Sequence, residues 1–230
     1  FLYDKAPFPS VHASTIVETR DGMVAAMFGG AREGAPDVGI WVSRQVKGAW
    51  TPPVEVATGV QPDGTRHPCW NPVLFEMPDR SLALFYKVGP DPRSWWGVVR
   101  SSTDAGRTWS EARRLPDGVL GPIKNKPVRL ADGAIISPSS TESNDQPSLW
   151  RVHFERSTDG GQSWSDNRPL TMWACPGCRL TALADSAGTV AVTYRSAFGD
   201  MRDPALAVSY DRGASFGIDA LLVAAEVRRL

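Results

Sequence analysis

Ser157-Thr158-Asp159-Gly160-Gly161-Gln162-Ser163-Trp164 is an octet that the chain spells more than once. Ser102-Thr103-Asp104-Ala105-Gly106-Arg107-Thr108-Trp109 keeps the same S-x-D-x-G-x-[ST]-W spelling. Ser209-Tyr210-Asp211-Arg212-Gly213-Ala214-Ser215-Phe216 repeats it with Phe for Trp, and Ser43-Arg44 through Gly48-Ala49-Trp50 reads as a worn fourth copy without the Asp. The closing aromatics Trp50, Trp109, Trp164 and Phe216 stand 59, 55 and 52 residues apart. A period of that length points to one supersecondary unit repeated with loops of variable length. The octet itself reads as a hairpin turn. Asp accepts hydrogen bonds from the N–H groups of its own turn, and Gly supplies the positive φ that a tight turn needs. The hydroxyls add bonds within the turn, and the aromatic packs under the neighbouring sheet. Asp104, Trp109, Asp159, Trp164 and Asp211 are therefore structural.

Strands fit between the octets. First strands are predicted near Val11–Val17, Pro68–Phe75, Ile123–Leu130 and Cys178–Ala184, each followed by a turn signal such as Arg20-Asp21-Gly22 or Ala131-Asp132-Gly133. Second strands follow at Met23–Phe28, Ser81–Tyr86, Ala134–Ser137 and Thr189–Tyr194. Third strands at Val38–Ser43, Gly97–Ser102, Arg151–Ser157 and Ala205–Ser209 run straight into the octets. A fourth leaves the aromatic, best seen in Thr51–Ala57 and Ser110–Leu115. These are short apolar runs bounded by turn residues. Only Ala220–Arg229 can be drawn as a helix, and weakly. Four strands recurring in fixed order describe a propeller blade, and the chain holds about four in one domain, 1–230.

Composition narrows the function. The 25 basic and 25 acidic residues cancel, so nothing favours nucleic acid or an anionic membrane. No stretch approaches the roughly 18 apolar residues of a membrane span. The chain opens at Phe1 rather than Met, as a processed or excerpted product would, and a removed signal peptide would give a secreted or periplasmic address. A single Cys-Pro-Gly-Cys (Cys175, Cys178) lacks the four ligands of structural zinc. It reads as two thiols or a small local disulfide, beside a separate Cys69, and no metal or cofactor is expected.

Antiparallel order decides which residues meet. The octets and the first-to-second turns share one face. The starts of the first strands and the second-to-third loops share the other. That second face is rich in chemistry: His12 and the run Gly29 to Asp37; Arg66-His67-Pro68-Cys69-Trp70-Asn71, Lys87 and Asp91 to Trp96; Lys124-Asn125-Lys126 and Ser139 to Glu142; Arg179, Tyr194-Arg195 and Gly199 to Asp203. Cations pair with a carboxylate and Trp stacks on a pyranose, so the expected partner is an acidic sugar or glycan.

The octet resembles the Asp box of sialidases and related bacterial-neuraminidase-repeat proteins, and the resemblance implies an all-β, sialidase-type β-propeller. Met27-Phe28-Gly29-Gly30-Ala31-Arg32 with Asp37-Val38-Gly39-Ile40 resembles the sialidase stretch in which an Arg follows the second strand and a loop Asp is the general acid/base. Carried over, Arg32 contacts substrate and Asp37 protonates the leaving oxygen, a task suited to a carboxyl beside a shaped pocket. Sialidases use a Tyr nucleophile; Tyr194 next to Arg195 is the stand-in, with Glu142 as its base.

Departures are equally plain. Where sialidases start the first strand with Arg-Ile-Pro, this chain has Ser10-Val11-His12-Ala13-Ser14, so one arginine of the carboxylate clamp is missing. The stretches Pro9 to Thr15, Gly29 to Gly34, Trp70 to Phe75 and Gly121 to Pro127 are similar to sialidase-like proteins of the repeat family, relatives of propellers acting on rhamnose–uronate linkages. In that reading His12 or His153 is the acid/base and Lys124 and Lys126 clamp the carboxylate. Sialidases close six blades, so four imply an incomplete or strained ring. Open strand edges then favour self-association, and Phe1-Leu2-Tyr3 is apolar enough to add a strand to the last blade. A sialidase-like exo-glycosidase, a silent glycan-binding propeller and a uronate-processing enzyme are the expected functions.

Overall fold

The structure, a computed structural model, describes residue 2 and residues 5–146, 150–165, 167–171, 181–195 and 204–221. Every regular element among them is a β-strand, and they fall into two compact units, Phe1–Lys126 and Pro127–Leu230. Each unit holds two antiparallel sheets, four blades in all.

In the first unit, β1 (Ser10–Thr19), β2 (Gly22–Gly30) and β3 (Gly39–Val46) run in chain order, with β4 (Ala49–Trp50) and β5 (Val54–Ala57) both pairing β3. The second blade is β6 (Cys69–Glu76), β7 (Leu82–Val88), β8 (Trp96–Ser102) and β9 (Arg113–Arg114). In the second unit, β10 (Val128–Arg129), β11 (Ile135–Glu142), β12 (Trp150–Ser157) and β13 (Arg168–Thr171) form the third blade. The fourth is β14 (Thr181–Ala184), β15 (Val190–Arg195), β16 (Pro204–Ser209) and β17 (Gly217–Leu221). The predicted strand over Ile123–Leu130 shrinks to two residues. Pro122 and Pro127 have no N–H for a ladder, and Lys124 sits at φ 62°. β17 takes the first residues of the weak helix candidate.

Alternation within these strands builds the cores. In the first unit Val24, Ala26, Phe28, Ile40 and Val42 of blade one meet Leu74, Leu82, Leu84 and Tyr86 of blade two. In the second, Ile136, Val152 and Phe154 meet Val190, Val192 and Tyr194. The opposite face of blade one, Ala25, Met27, Trp41 and Trp50, is covered by Leu2, Ala6 and Phe8. Residues 5–9 form no strand, because Pro7 and Pro9 cannot donate to a ladder; of the leading Phe1-Leu2-Tyr3, expected to add a strand to the last blade, Phe1 and Tyr3 lie outside the described residues.

Three octets repeat one hydrogen-bond pattern. The Ser102, Ser157 and Ser209 hydroxyls, all buried, accept the N–H of Gly106, Gly161 and Gly213 at 2.8, 2.8 and 2.7 Å. The same hydroxyls donate to Oδ1 of Asp104, Asp159 and Asp211 at 2.8, 2.8 and 2.7 Å. Each carboxylate also accepts the N–H of the residue four positions on, Thr108, Ser163 or Ser215, at 2.8–2.9 Å, and that residue's hydroxyl. Arg107 then clasps blade two to blade one, with Nη1 2.8 Å from Asp21. In the second unit Arg212 reaches Asp132 at 3.4 Å in the corresponding way.

The fourth copy registers differently from its spelling. Arg44 exchanges bonds with Thr51 as Ser101 does with Ser110 and Arg156 with Ser165. Gln45, not Ser43, therefore occupies the position of the octet serine. The turn is two residues shorter, a hairpin closed by Lys47 and Gly48 at φ 51° and 84°. Ser43 is left buried with its Oγ unbonded.

Two consecutive left-handed residues build the full turns, and the first need not be Gly: it is Ala105 (φ 57°), Gly160 (φ 72°) or Arg212 (φ 59°). Ala105→Gly is therefore expected to stabilise the protein by about 0.5–1 kcal/mol, the relief of left-handed strain exceeding the extra freedom of the unfolded chain. A higher urea midpoint at unchanged slope is the measurement.

Candidate functional site

The end of the first unit away from the octets is formed by the loop 31–38, the start of β1, the start of β6 and the loop 89–95. The 31–38 loop is held from several sides. Asp37 Oδ2 accepts the Ala31 N–H at 2.9 Å, and turns close from Ala35 N to Arg32 O at 3.1 Å and Val38 N to Ala35 O at 3.0 Å. The second blade adds its own grip. Arg66 Nη2 donates to the Asp37 carbonyl at 3.0 Å, and Cys69 N donates to Val38 O at 3.0 Å. Trp70 lies beneath Gly34, where a Cβ would stand 3.3 Å from the indole.

Two candidates are exposed on this loop. Arg32 is exposed and its guanidinium has no partner among the described residues. Asp37 is exposed, with Oδ1 outside every hydrogen bond among the described residues. Beside them His12 rests edge-on against Phe28, ring centroids 5.4 Å apart, with Nδ1 3.8 Å from Glu33 Oε1. Phe28 continues to Trp70 at 6.1 Å, and Trp70 to Trp95 at 5.9 Å. His12, Arg32, Asp37 and Trp70 are thus brought to one end of one unit over a shared aromatic floor.

Other candidates sit deeper. Trp70 is buried and donates Nε1–H to Gly89 O at 2.8 Å, while Asn71 is buried in the β6 bulge at φ 42°. Lys87 is fully buried and gives its ammonium to Pro122 O at 2.9 Å. Lys126 is exposed along its stem, but its ammonium is tucked against Leu74 O at 2.8 Å, and loss of hydration lowers its pKa to about 8. Lys124 is exposed on a tight turn closed by Asn125 N and Ile123 O at 2.7 Å. Burial pushes the Cys69 thiol up to about 12, which keeps it protonated and unreactive.

In the second unit, Glu142 ends β11 opposite Trp150, half-buried, and Arg195 ends β15 exposed. Tyr194 is buried in the core with Val190 and Val192, and burial raises its phenol pKa. His153 is buried on β12 with Nε2 3.4 Å from Glu155. Arg179, Cys175, Cys178 and the stretch Gly199 to Asp203 lie outside the described residues. No group of three His, Cys, Asp or Glu among the described residues is arranged to hold a metal ion, and none of them forms a helix long and apolar enough to cross a membrane.

Sequence reading missed the part played by Arg66. It stands 29 residues from Asp37, and its tie is to a backbone carbonyl, which leaves no trace in the residue at the other end.

The BNR repeat-like domain family matches residues 21–225. No curated protein matches the chain. Among solved structures, a Hadza microbial sialidase is similar at 15% identity and TM-score 0.71, over 92% of this chain and 47% of that one. The NanB sialidase of Streptococcus pneumoniae is similar at 10% identity and TM-score 0.68, over 93% and 52%. A family 117 glycoside hydrolase from the marine bacterium Zobellia galactanivorans is similar at 12% identity and TM-score 0.65, over 92% and 69%. The chain spans about half the length of the two sialidases, and at these identities the likeness is one of fold.

Proposed function

We propose, from the premise that this chain belongs to the BNR repeat-like domain family, that it is a sialidase-like exo-glycosidase releasing a terminal acidic sugar from glycans. The observation that carries this reading is the braced 31–38 loop. It presents a free guanidinium, Arg32, and a carboxylate with one open oxygen, Asp37, beside His12 over an aromatic floor. In the proposal Arg32 takes the sugar carboxylate as a charge-assisted pair. Asp37 Oδ1 gives its proton to the leaving glycosidic oxygen as that C–O bond breaks, and water takes the anomeric carbon, losing a proton that restores the acid. The Arg66 and Ala31 bonds hold that carboxyl in place, which is worth rate because a small misplacement of an acid is costly.

Hydrolysis of fluorogenic sialosides and uronides tests the reading; absence of turnover on both overturns it. Arg32→Ala is expected to weaken binding of the acidic sugar about tenfold while a neutral sugar binds unchanged, measured by calorimetry. The burial of Tyr194 favours a second reading, a propeller that binds the acidic sugar without turning it over. Glycan-array binding with no release of product would select it.

A further inference from the structure

The turns that join first to second strands in blades two, three and four share one backbone. Arg80 N bonds Met77 O at 2.9 Å, Gly133 N bonds Leu130 O at 3.0 Å and Gly188 N bonds Asp185 O at 3.2 Å, and each turn is closed by a second bond one residue on. The equivalent position is Gly133 (φ 86°) in blade three and Gly188 (φ 92°) in blade four, but Arg80 (φ 70°) in blade two. A left-handed arginine is strained where glycine is not. Its one ion pair, Nη1 to Glu76 Oε1 at 3.3 Å with the Arg80 side chain 78% exposed, is too solvated to account for keeping it there.

Arg80 lines a cleft of about 140 Å³ on the octet side of the first unit, walled by Thr19, Arg20, Glu76, Leu82, Thr103 and Ala105. That is room for roughly four or five waters' worth of ligand at about 30 Å³ each. Arg20 stands across from the octet with only Nε near a carboxylate, 3.7 Å from Asp21. Beyond the Arg80 Nη1 bonds to Glu76, the guanidinium donors of both arginines have no partner among the described residues. Two guanidinium groups against one lining carboxylate leave the cleft lining with net positive charge and unused guanidinium donors, while the Thr19 hydroxyl is already given to Gly22 O at 2.7 Å. Backbone strain retained beside such a cleft is a mark of function.

We propose that this cleft is an anion-binding site, separate from the Asp37 loop at the other end of the strands, that takes a small oxyanion: a carboxylate or a sulfate group. Arg20 and Arg80 pair with its oxygens, and the Thr19 and Thr103 side chains flank it.

The test is titration of the whole chain with sodium sulfate and with sodium glucuronate at ionic strength fixed with chloride, followed by amide NMR shifts around residues 80 and 105. Arg80→Gly places in blade two the residue its sister turns already use, so the variant folds. It is expected to weaken sulfate or glucuronate binding at least fivefold, and Arg20→Gln likewise. Saturable binding of sulfate alone assigns a tetrahedral oxyanion; binding of both probes assigns carboxylates as well. Shifts absent for both probes, or unchanged affinity in Arg80→Gly, overturn the proposal.

Discussion

Asp37→Asn is expected to lower turnover of a glycoside with an unactivated leaving group by about 10²–10⁴-fold, the range supplied by a positioned acid. Affinity for the acidic sugar should stay within about twofold, because asparagine can still accept the Ala31 N–H that holds the loop. A leaving group that needs no protonation, such as a nitrophenolate, should lose far less. Steady-state rates on the two substrate types check this. Equal rates for variant and parent on the unactivated substrate would remove Asp37 from the chemistry. His12→Ala, measured alongside, shows whether the neighbouring imidazole carries the proton instead.

The second large effect is on stability. Ser102→Ala is expected to cost about 1–3 kcal/mol, since it leaves the buried Gly106 N–H without an acceptor and strips one donor from Asp104. Asp104→Ala should cost less, about 1–2 kcal/mol, because its carboxylate is open to solvent and screened. Acid should act on the same groups. Hydroxyl and backbone donors from Thr108 hold the Asp104 carboxyl well below the usual range, and those of Ser163 and Ser215 hold Asp159 and Asp211 at about 2. Lowered folded-state values mean that this stability is complete above the unfolded aspartate value of about 3.9 and is lost as pH falls through about 2. Urea midpoints measured between pH 5 and 2.5 should fall for the parent, and less steeply for Asp104→Ala.

The octets were the legible part because their bonds are local. A serine, an aspartate and a glycine within five residues satisfy one another, so spelling and geometry coincide. Where the copy was worn, spelling misled: Ser43 looked like the octet serine, yet the exchange between Arg44 and Thr51 places Gln45 there. The candidate site was legible only in kind. Residues at the right strand ends were identifiable from antiparallel order, but depth was not. Lys87 is read among the groups of the second face and Tyr194 as a stand-in nucleophile there, and the packing of neighbouring strands buries both. Contacts such as Arg66 to Asp37 join segments whose sequences carry no mark of each other.

That contact also bears on when the 31–38 loop takes its shape during synthesis. The first sheet is complete at residue 57, but its 31–38 loop takes Arg66, Cys69 and Trp70 from the next blade. A ribosome that has released only the first sheet has therefore made a loop held by its own Ala31–Asp37 bond and turns, without the grip of Arg66 and Cys69. The loop is set only as β6 docks, so the geometry around Asp37 reports on the assembly of two blades rather than on either alone. Amides of residues 31–38 should consequently exchange with solvent through the opening of the second blade, and a destabilising change in β6 should loosen the loop before the first sheet melts.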